Sequence, residues 1–208
     1  MSSAVSSTPL LVVVSAPSGA GKSTLCDNVR AALPSVSRAV TCTTREPRDG
    51  EADGVDYYFL GEEEFLARVD GGEFLENAMV HGNHYGVLKS ELRDKLAGGS
   101  DVLLNIDVQG AATIRERAAA DPVLRQSLIT VFLRPPSLEE LEQRLRGRGT
   151  DSDEVIARRL AIAKDEMDQA EKFDHTLTSQ TREADIDWLL GIIENARLAK
   201  REAISTHE

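Results

Sequence analysis

Three apolar runs divide the chain. Leu10 to Val14 is apolar and rich in β-branched residues, "DVLLNIDVQG" opens with a second run, and "SLITVFLRPP" holds a third that Pro135 and Pro136 close. None of the three alternates with polar positions, so each reads as a strand covered on both faces, the habit of a parallel sheet. Between them the spacing turns helical. Leu25, Val29 and Leu33 recur on one face of a helix over 22–33 that Pro34 stops. Further helical patterns lie near Glu62–Asp70, over 89–97, after Asp107 through Arg117, over 137–146 and 152–172, and over 183–203. Short strands are expected over 38–43, Asp56–Leu60 and 175–179, and "EFLENAMVHGNHYGVL" reads as a hairpin turning at "HGN". This alternation predicts an α/β fold with a doubly wound parallel sheet. The turn-rich stretch 38–88, with shorter and more alternating strands, reads as an insertion.

The turn between the first strand and the first helix carries chemistry. The phosphate-loop pattern G-x-x-x-x-G-K-[ST], laid over Ala16 to Ser23, matches at Gly21, Lys22 and Ser23, with Ala16 in place of the first glycine. A strand before it and a helix after it are the context the motif requires. Gly19 and Gly21 can take positive φ, turning successive N–H groups inward around a phosphate, and the helix N-terminus adds partial positive charge. Lys22 can then reach the β- and γ-phosphates, and the Ser23 hydroxyl can ligate Mg²⁺. The competing reading is a tight turn with an exposed lysine. Ala16 is harmless if it only ends the strand with ordinary backbone angles.

Charge narrows the partners. With 35 acidic and 24 basic residues the chain carries a net charge of −11, which argues against a nucleic-acid or anionic-membrane surface. No apolar run approaches the roughly 18 residues that span a membrane. The small, polar start "MSSAVSSTP" reads as a tail over 1–9, and two cysteines, Cys26 and Cys42, make no disulfide framework, so a reducing cytoplasm is expected. An acidic protein that handles phosphates must gather its arginines locally. Arg45 and Arg48 sit three apart in "TCTTREPR"; Arg144, Arg146 and Arg148 crowd "RLRGRGT", with Arg158 and Arg159 close behind. These could be solvated helix faces paired with glutamates. Gly147 and Gly149 around Arg148 point instead to a mobile segment, which suits stabilisation of a moving phosphoryl group after substrates are enclosed. Asp107, at the end of the second apolar strand, stands where a metal-organising carboxylate belongs, or caps the helix that follows.

Together "SAPSGAGKST", "TTREPRDGEADGVDYYF", "GEFLENAMVHGNHYG", "NIDVQG" and "PPSLEELEQRLRGRGTDS" give the chain, from about residue 10 to 200, a resemblance to guanylate kinases, which phosphorylate GMP with ATP. The resemblance implies a P-loop kinase whose core is 10–37, 89–137 and 161–208, with a mixed-strand GMP-binding region over 38–88 and a helical lid over 138–160. It implies that Ser18, Gly19, Ala20, Gly21, Lys22, Ser23 and Thr24, with Arg144 nearby, hold ATP, and that Ser23 and Asp107 organise Mg²⁺. Arg45, Arg48, Tyr57 and Tyr85 would hold the GMP phosphate, Asp107 would lie on the substrate side, and Glu76 would accept hydrogen bonds from the guanine edge. Thr41 stands near the base where the family usually has a serine. Lys22, Arg48, Arg148 and Arg159 would serve the transferred phosphoryl.

Four residues depart from the family pattern: Ala16, Val87 in place of a hydroxyl residue, Asn105 in place of a frequent acid, and Ser179 in place of an asparagine on the adenine side. Tyr57 and Tyr85 could also be ordinary strand aromatics, and Glu76 could pair with an arginine. Two rival functions share parts of the pattern. A non-catalytic interaction module keeps the fold but typically loses phosphate-loop residues, and a sugar-phosphate kinase needs no guanine-reading acid.

Overall fold

A computed structural model describes residues 8–80, 82–147, 149 and 151–205. The first apolar run is β1 (Leu11–Ser15), followed by α1 (Lys22–Ala32) and two three-residue strands, β2 (Val36–Arg38) and β3 (Thr41–Thr43). Next come β4 (Tyr57–Phe59), α2 (Glu62–Asp70), the hairpin of β5 (Phe74–Val80) and β6 (Asn83–Leu88), and α3 (Lys89–Ala97). The second apolar run is β7 (Asp101–Asn105), leading into α4 (Val108–Ala120) and a short α5 (Pro122–Ser127). The third is β8 (Leu128–Arg134), followed by α6 (Leu138–Gly147), α7 (Asp153–Met167), β9 (His175–Thr178) and α8 (Arg182–Ser205).

The apolar runs become the centre of a five-stranded, all-parallel sheet in the order β2-β7-β1-β8-β9. Because strand side chains alternate, β1 feeds two cores. Leu10, Val12 and Val14 pack with Leu25 and Val29 of α1, Leu141 and Leu145 of α6, and Leu189 and Ile193 of α8. Leu11 and Val13 pack on the other face with Leu92 of α3 and Ala111 and Ile114 of α4. That double covering is why these runs show no polar alternation.

The inserted stretch forms a second sheet, β4-β3-β6-β5, with mixed pairing. Its hairpin turns at Gly82, which has φ +83°; His81 of the expected "HGN" turn lies outside the described residues. Between Phe74 and Glu76 the register slips by one residue, a β-bulge that leaves three consecutive buried residues with three destinations. Phe74 joins the small core of the second sheet, Leu75 joins the main core, and Glu76 lines a cavity.

Three expectations need correction. The single strand expected over 38–43 is two strands in different sheets. The chain crosses at Ala39 and Val40, whose N–H groups donate to the Leu103 carbonyl and the Glu91 carboxylate; both residues are buried, so hydropathy is continuous where the pairing partner changes. The helix expected over 152–172 ends at Met167, and a separate 3-10 turn at Ala170–Lys172 lets Ala170 and Phe173 reach the main core. After Asp107 the helix runs to Ala120 rather than Arg117, and α5 went unforeseen, although Asp121 caps it through the N–H groups of Val123 and Leu124 with Pro122 at its first turn.

Gly86 shows how tightly the insertion is packed. A Cβ there would lie 2.7 Å from the Phe74 ring and 3.0 Å from the Glu76 carbonyl oxygen. Gly86→Ala is therefore expected to destabilise the protein by about 1–3 kcal/mol, the usual cost of overpacking. Urea unfolding followed by circular dichroism measures it, and an unchanged midpoint would show that the hairpin accommodates the methyl freely.

Candidate active site

Parallel pairing places the exits of β1 and β7 side by side, since Val14 lies opposite Asn105. From β1 the chain enters the loop 16–21, and from β7 it passes through Ile106 to Asp107 at the start of α4. Gly19 and Gly21 have φ of +94° and +99°, as the phosphate-loop reading requires. Ala16 is buried within the core. A Cβ at Gly19 would lie 2.8 Å from Leu145 Cδ2, so α6 rests directly on the loop. The loop is fastened across to β7 by two bonds. Lys22 Nζ donates to the Ile106 carbonyl at 2.6 Å, and Asn105 Nδ2 donates to Ser23 Oγ at 3.1 Å.

Two cavities meet at this junction. One, of about 230 Å³, is lined by Lys22, Ser23, Arg38, Thr41, Tyr57, Glu76, Tyr85, Asn105 and Asp107. The other, of about 460 Å³, is lined by the loop from Ala16 to Gly19 and from Gly21 to Thr24, with Asp107, Met79, Arg159, Ile162 and Glu166. Lys22, Ser23, Val80 and Asp107 line both. A third cavity, of about 220 Å³, lies behind the loop among Ala20, Gly21, Thr24, Arg144, Ser179, Arg182 and Asp185.

Glu76 is the unusual group of the first cavity. It is 3 % exposed, and burial, reinforced by the nearby charge of Asp107 and opposed by Arg117, pushes its carboxyl up to about 8. Arg117 is itself held by the bulge, donating to the Phe74 carbonyl at 2.6 Å. The carboxyl presses on the first turn of α4, where a Cβ at Gly110 would lie 2.8 Å from Glu76 Oε2. Asp107 caps the same turn, accepting from the Gly110 N–H at 2.7 Å, and also faces both cavities. The two readings of Asp107 are thus compatible.

Arg45, Arg144 and Arg159 are held by carboxylates and carbonyls of the chain itself. Arg45 donates from Nη2 to both Glu51 oxygens at 2.9 Å, and its guanidinium lies 5.3 Å from the centre of the Tyr57 ring. Tyr57 and Tyr85 meet edge to face beside it. Arg48 is exposed, its backbone N–H donating to Glu51, and neither arginine lines the first cavity. Arg159 pairs with Asp151 at 3.2 Å, and Arg144 with Glu140 and the Ala20 carbonyl. Arg148 lies outside the described residues.

Sequence reading passed over several residues that the structure brings in. Arg38 lines the first cavity 5.9 Å from the Tyr57 ring centre, and Glu51 fixes Arg45. Asn105, noted only as a departure, holds Ser23. Glu166 lies near Lys22, and burial, opposed by Lys22 and reinforced by Asp107, pushes its carboxyl up to about 7. Of these only Glu51 and Asn105 stand in stretches with a motif; Arg38 and Glu166 carry no local signal. Val87 is fully buried in the core, and Ser179 donates to Asp185 at 2.7 Å.

The guanylate kinase family profile matches residues 8–196. A guanylate kinase of Aromatoleum aromaticum is 46 % identical over 188 residues, 90 % of this chain and 89 % of that protein. One of Bifidobacterium longum is 48 % identical over 172 residues, 82 % of this chain and 86 % of that one. The crystal structure of guanylate kinase from Anaplasma phagocytophilum superposes with a TM-score of 0.73 at 32 % identity, covering 92 % of this chain and 87 % of its own.

A buried carboxyl with a raised pKa is a stability cost that depends on pH. The unfolded chain ionises Glu76 near the usual 4.5 and the native protein only near 8, so stability is lost as pH rises between those values. Glu76→Gln is expected to leave Tm nearly unchanged at pH 4 and to raise it above pH 8. Thermal unfolding of both proteins across pH 4–9 measures this. A difference that does not grow with pH would mean that Glu76 ionises freely.

Proposed function

The chain belongs to the guanylate kinase family, and from that premise we propose that the cavity holding Glu76 takes GMP and the phosphate loop takes ATP. One observation carries this reading: the two cavities meet at Lys22, Ser23 and Asp107, so a phosphate in each would face the other. The reaction is ATP-dependent phosphorylation of GMP, and by the same base contact dGMP, giving GDP (or dGDP) and ADP. An oxygen of the GMP phosphate bonds to the γ-phosphorus as the bond to the β–γ bridging oxygen breaks. No covalent enzyme intermediate is needed, so catalysis rests on position and charge.

Each side chain then has a proposed task. Glu76 reads guanine, whose N1–H and N2 amine are adjacent donors for one carboxylate; those donors favour the ionised form that burial opposes. Thr41 and the paired Tyr57 and Tyr85 shape the pocket. Arg45 and Arg48, with Arg38, hold the GMP phosphate once Arg45 exchanges Glu51 for it. Ser18, Gly19, Ala20, Gly21, Lys22, Ser23 and Thr24 cradle the ATP phosphates, with Arg144 beside the loop. Arg159 and Arg148 would serve the transferred group, with 138–160 acting as a lid over the core of 10–37, 89–137 and 161–208 and 38–88 closing from the other side.

Mg²⁺ fits the donors available. Among the described residues no cluster of three or more His, Cys, Asp or Glu could cage a metal, whereas Mg²⁺ on a nucleotide needs only one or two hard protein oxygens besides phosphates and water. Ser23, oriented by Asn105, and Asp107 supply that chemistry. Bound there, the ion would neutralise charge on the phosphates. No described helix is long and apolar enough to cross a membrane, and both cysteines are free and buried, which supports a cytoplasmic enzyme. Retention of Lys22, Ser23 and Asp107 at one junction disfavours the interaction module, and Glu76 at the base disfavours a sugar-phosphate substrate.

A coupled ADP-release assay with GMP, dGMP, IMP and AMP tests the assignment. IMP lacks the N2 amine and should lose roughly 10–150-fold in kcat/KM, the value of a hydrogen bond to a charged group. AMP should fall further, since its bare N1 faces a carboxylate. Glu76→Gln should flatten the order; an unchanged GMP/IMP ratio in that variant would remove Glu76 from base recognition. Lys22→Ala should lower kcat by about 10²–10³-fold with the fold retained, as for other preorganised charges. Turnover near that of the parent protein would end the phosphate-loop assignment.

A further inference from the structure

Behind the β5 bulge lies a further cavity, of about 640 Å³, that the proposed reaction does not use. One wall is α3, whose residues Lys89, Leu92, Arg93 and Leu96 recur on a single helical face; the end of α4 and all of α5 supply the other. Its interior is aliphatic, with Leu75 and Leu92 buried and Leu96 and Leu124 half-buried. The charges around it are mostly positive, in a chain of net charge −11: Lys89, Arg93 and Arg117 against Asp121. That one carboxylate is occupied as the cap of α5, accepting from the N–H groups of Val123 and Leu124. Arg93 is exposed and forms no hydrogen bond or ion pair with any described residue. Lys89 and Arg117 hold neutral partners, Nζ donating to the Gly72 carbonyl at 2.6 Å and Nη1 to the Phe74 carbonyl at 2.6 Å. Arg45, Arg144 and Arg159, by contrast, each rest on a carboxylate.

We propose that this groove is a binding site for a free long-chain carboxylate, and that its occupation weakens GMP binding. The leucines receive the alkyl chain and the three cations the head, in a cavity of the size that small ligands fill. The net charge opposes an anionic membrane at this face, and the segment 1–7, "MSSAVSS", has no acidic side chain to meet the cations. Coupling to GMP follows from what the cations now hold. Gly72 and Phe74 lie at the entry to β5, just before Glu76. A carboxylate binds a guanidinium more strongly than a carbonyl does, so it draws Arg117 from Phe74 and loosens the bulge that aims Glu76. The coupling, though not the site, rests on the reading that Glu76 receives guanine.

The experiment is calorimetric titration of the full chain with decanoate, with decanol, which has the same tail and no charge, and with acetate, which has the head alone. Decanoate should bind saturably and about tenfold or more tighter than decanol, the value of a hydrogen bond between charged groups, and acetate should not bind measurably. Arg93→Gln should weaken decanoate by about tenfold. Ala97→Trp, which fills the groove from an exposed position on α3, should weaken it further. Both variants should keep the parent's GMP turnover when decanoate is absent. With decanoate saturating, GMP affinity should fall severalfold, and GMP should weaken decanoate by the same factor. Equal binding of decanoate and decanol, binding indifferent to both variants, or an unaltered GMP affinity overturns the proposal. Binding to phosphatidylglycerol vesicles without binding of free decanoate, or self-association that Arg93→Gln breaks, would give the groove to a membrane or a second copy and overturns it equally. If GMP fails to bind even without decanoate, the function proposed above falls, while the decanoate titrations still decide the site.

Discussion

The parallel register between β1 and β7 is the constraint on which the site depends. With Val14 opposite Asn105, the two strands leave the sheet level with each other. Lys22 Nζ can therefore reach the Ile106 carbonyl and Asn105 the Ser23 hydroxyl. A slip in that pairing would turn Asn105 to the other face of the sheet and separate the loop from Asp107. The register is held by covering both faces, because Val12 and Val14 face one core while Leu11 and Val13 face the other. Hydrophobic burial here does more than stabilise a fold; it sets the distance between the loop and Asp107.

Around that junction the protein accepts unfavourable electrostatics. Burial, reinforced by the charge of Asp107, raises the proton affinity of both Glu76 and Glu166, and Lys22 is pushed down by burial with Asp107 opposing. A chain of net charge −11 gathers acids even where it must bind anions, so its cations are kept in internal pairs: Arg45 with Glu51, Arg159 with Asp151, Arg144 with Glu140. In the proposed reaction, substrate phosphates would replace carboxylates as the partners of arginines already in place. Binding by such an exchange would avoid leaving a desolvated charge without a partner.

The bulge in β5 shows how a local irregularity redirects one side chain. Regular alternation would send Glu76 to the same side as Phe74, into the small core. The extra residue instead turns Glu76 to the side of Leu75 and Val87, where it lines the first cavity against the first turn of α4 at Gly110. The small sheet is thus joined to the large one by Leu75 and by Arg117, which holds the Phe74 carbonyl.

By itself the sequence determined the elements and the chemistry that is local along the chain. Three unbroken apolar runs mean strands covered on both faces, Gly19 and Gly21 before Lys22 and Ser23 mean a loop of inward N–H groups, and "NIDVQG" sets an acid at a strand exit. These follow from periodicity, glycine's free φ and side-chain chemistry, which need no distant partner. Only the tertiary structure decided what depends on partners far apart in the chain. It split 38–43 between two sheets, because buried residues look alike whichever strand they pair with. It brought Arg38, Glu51 and Glu166 to the site, since each acts through a group that spacing cannot reveal. It raised the proton affinity of Glu76, which arises from burial against α4 and the charge of Asp107, thirty-one residues away in sequence and near only because β5 packs against α4.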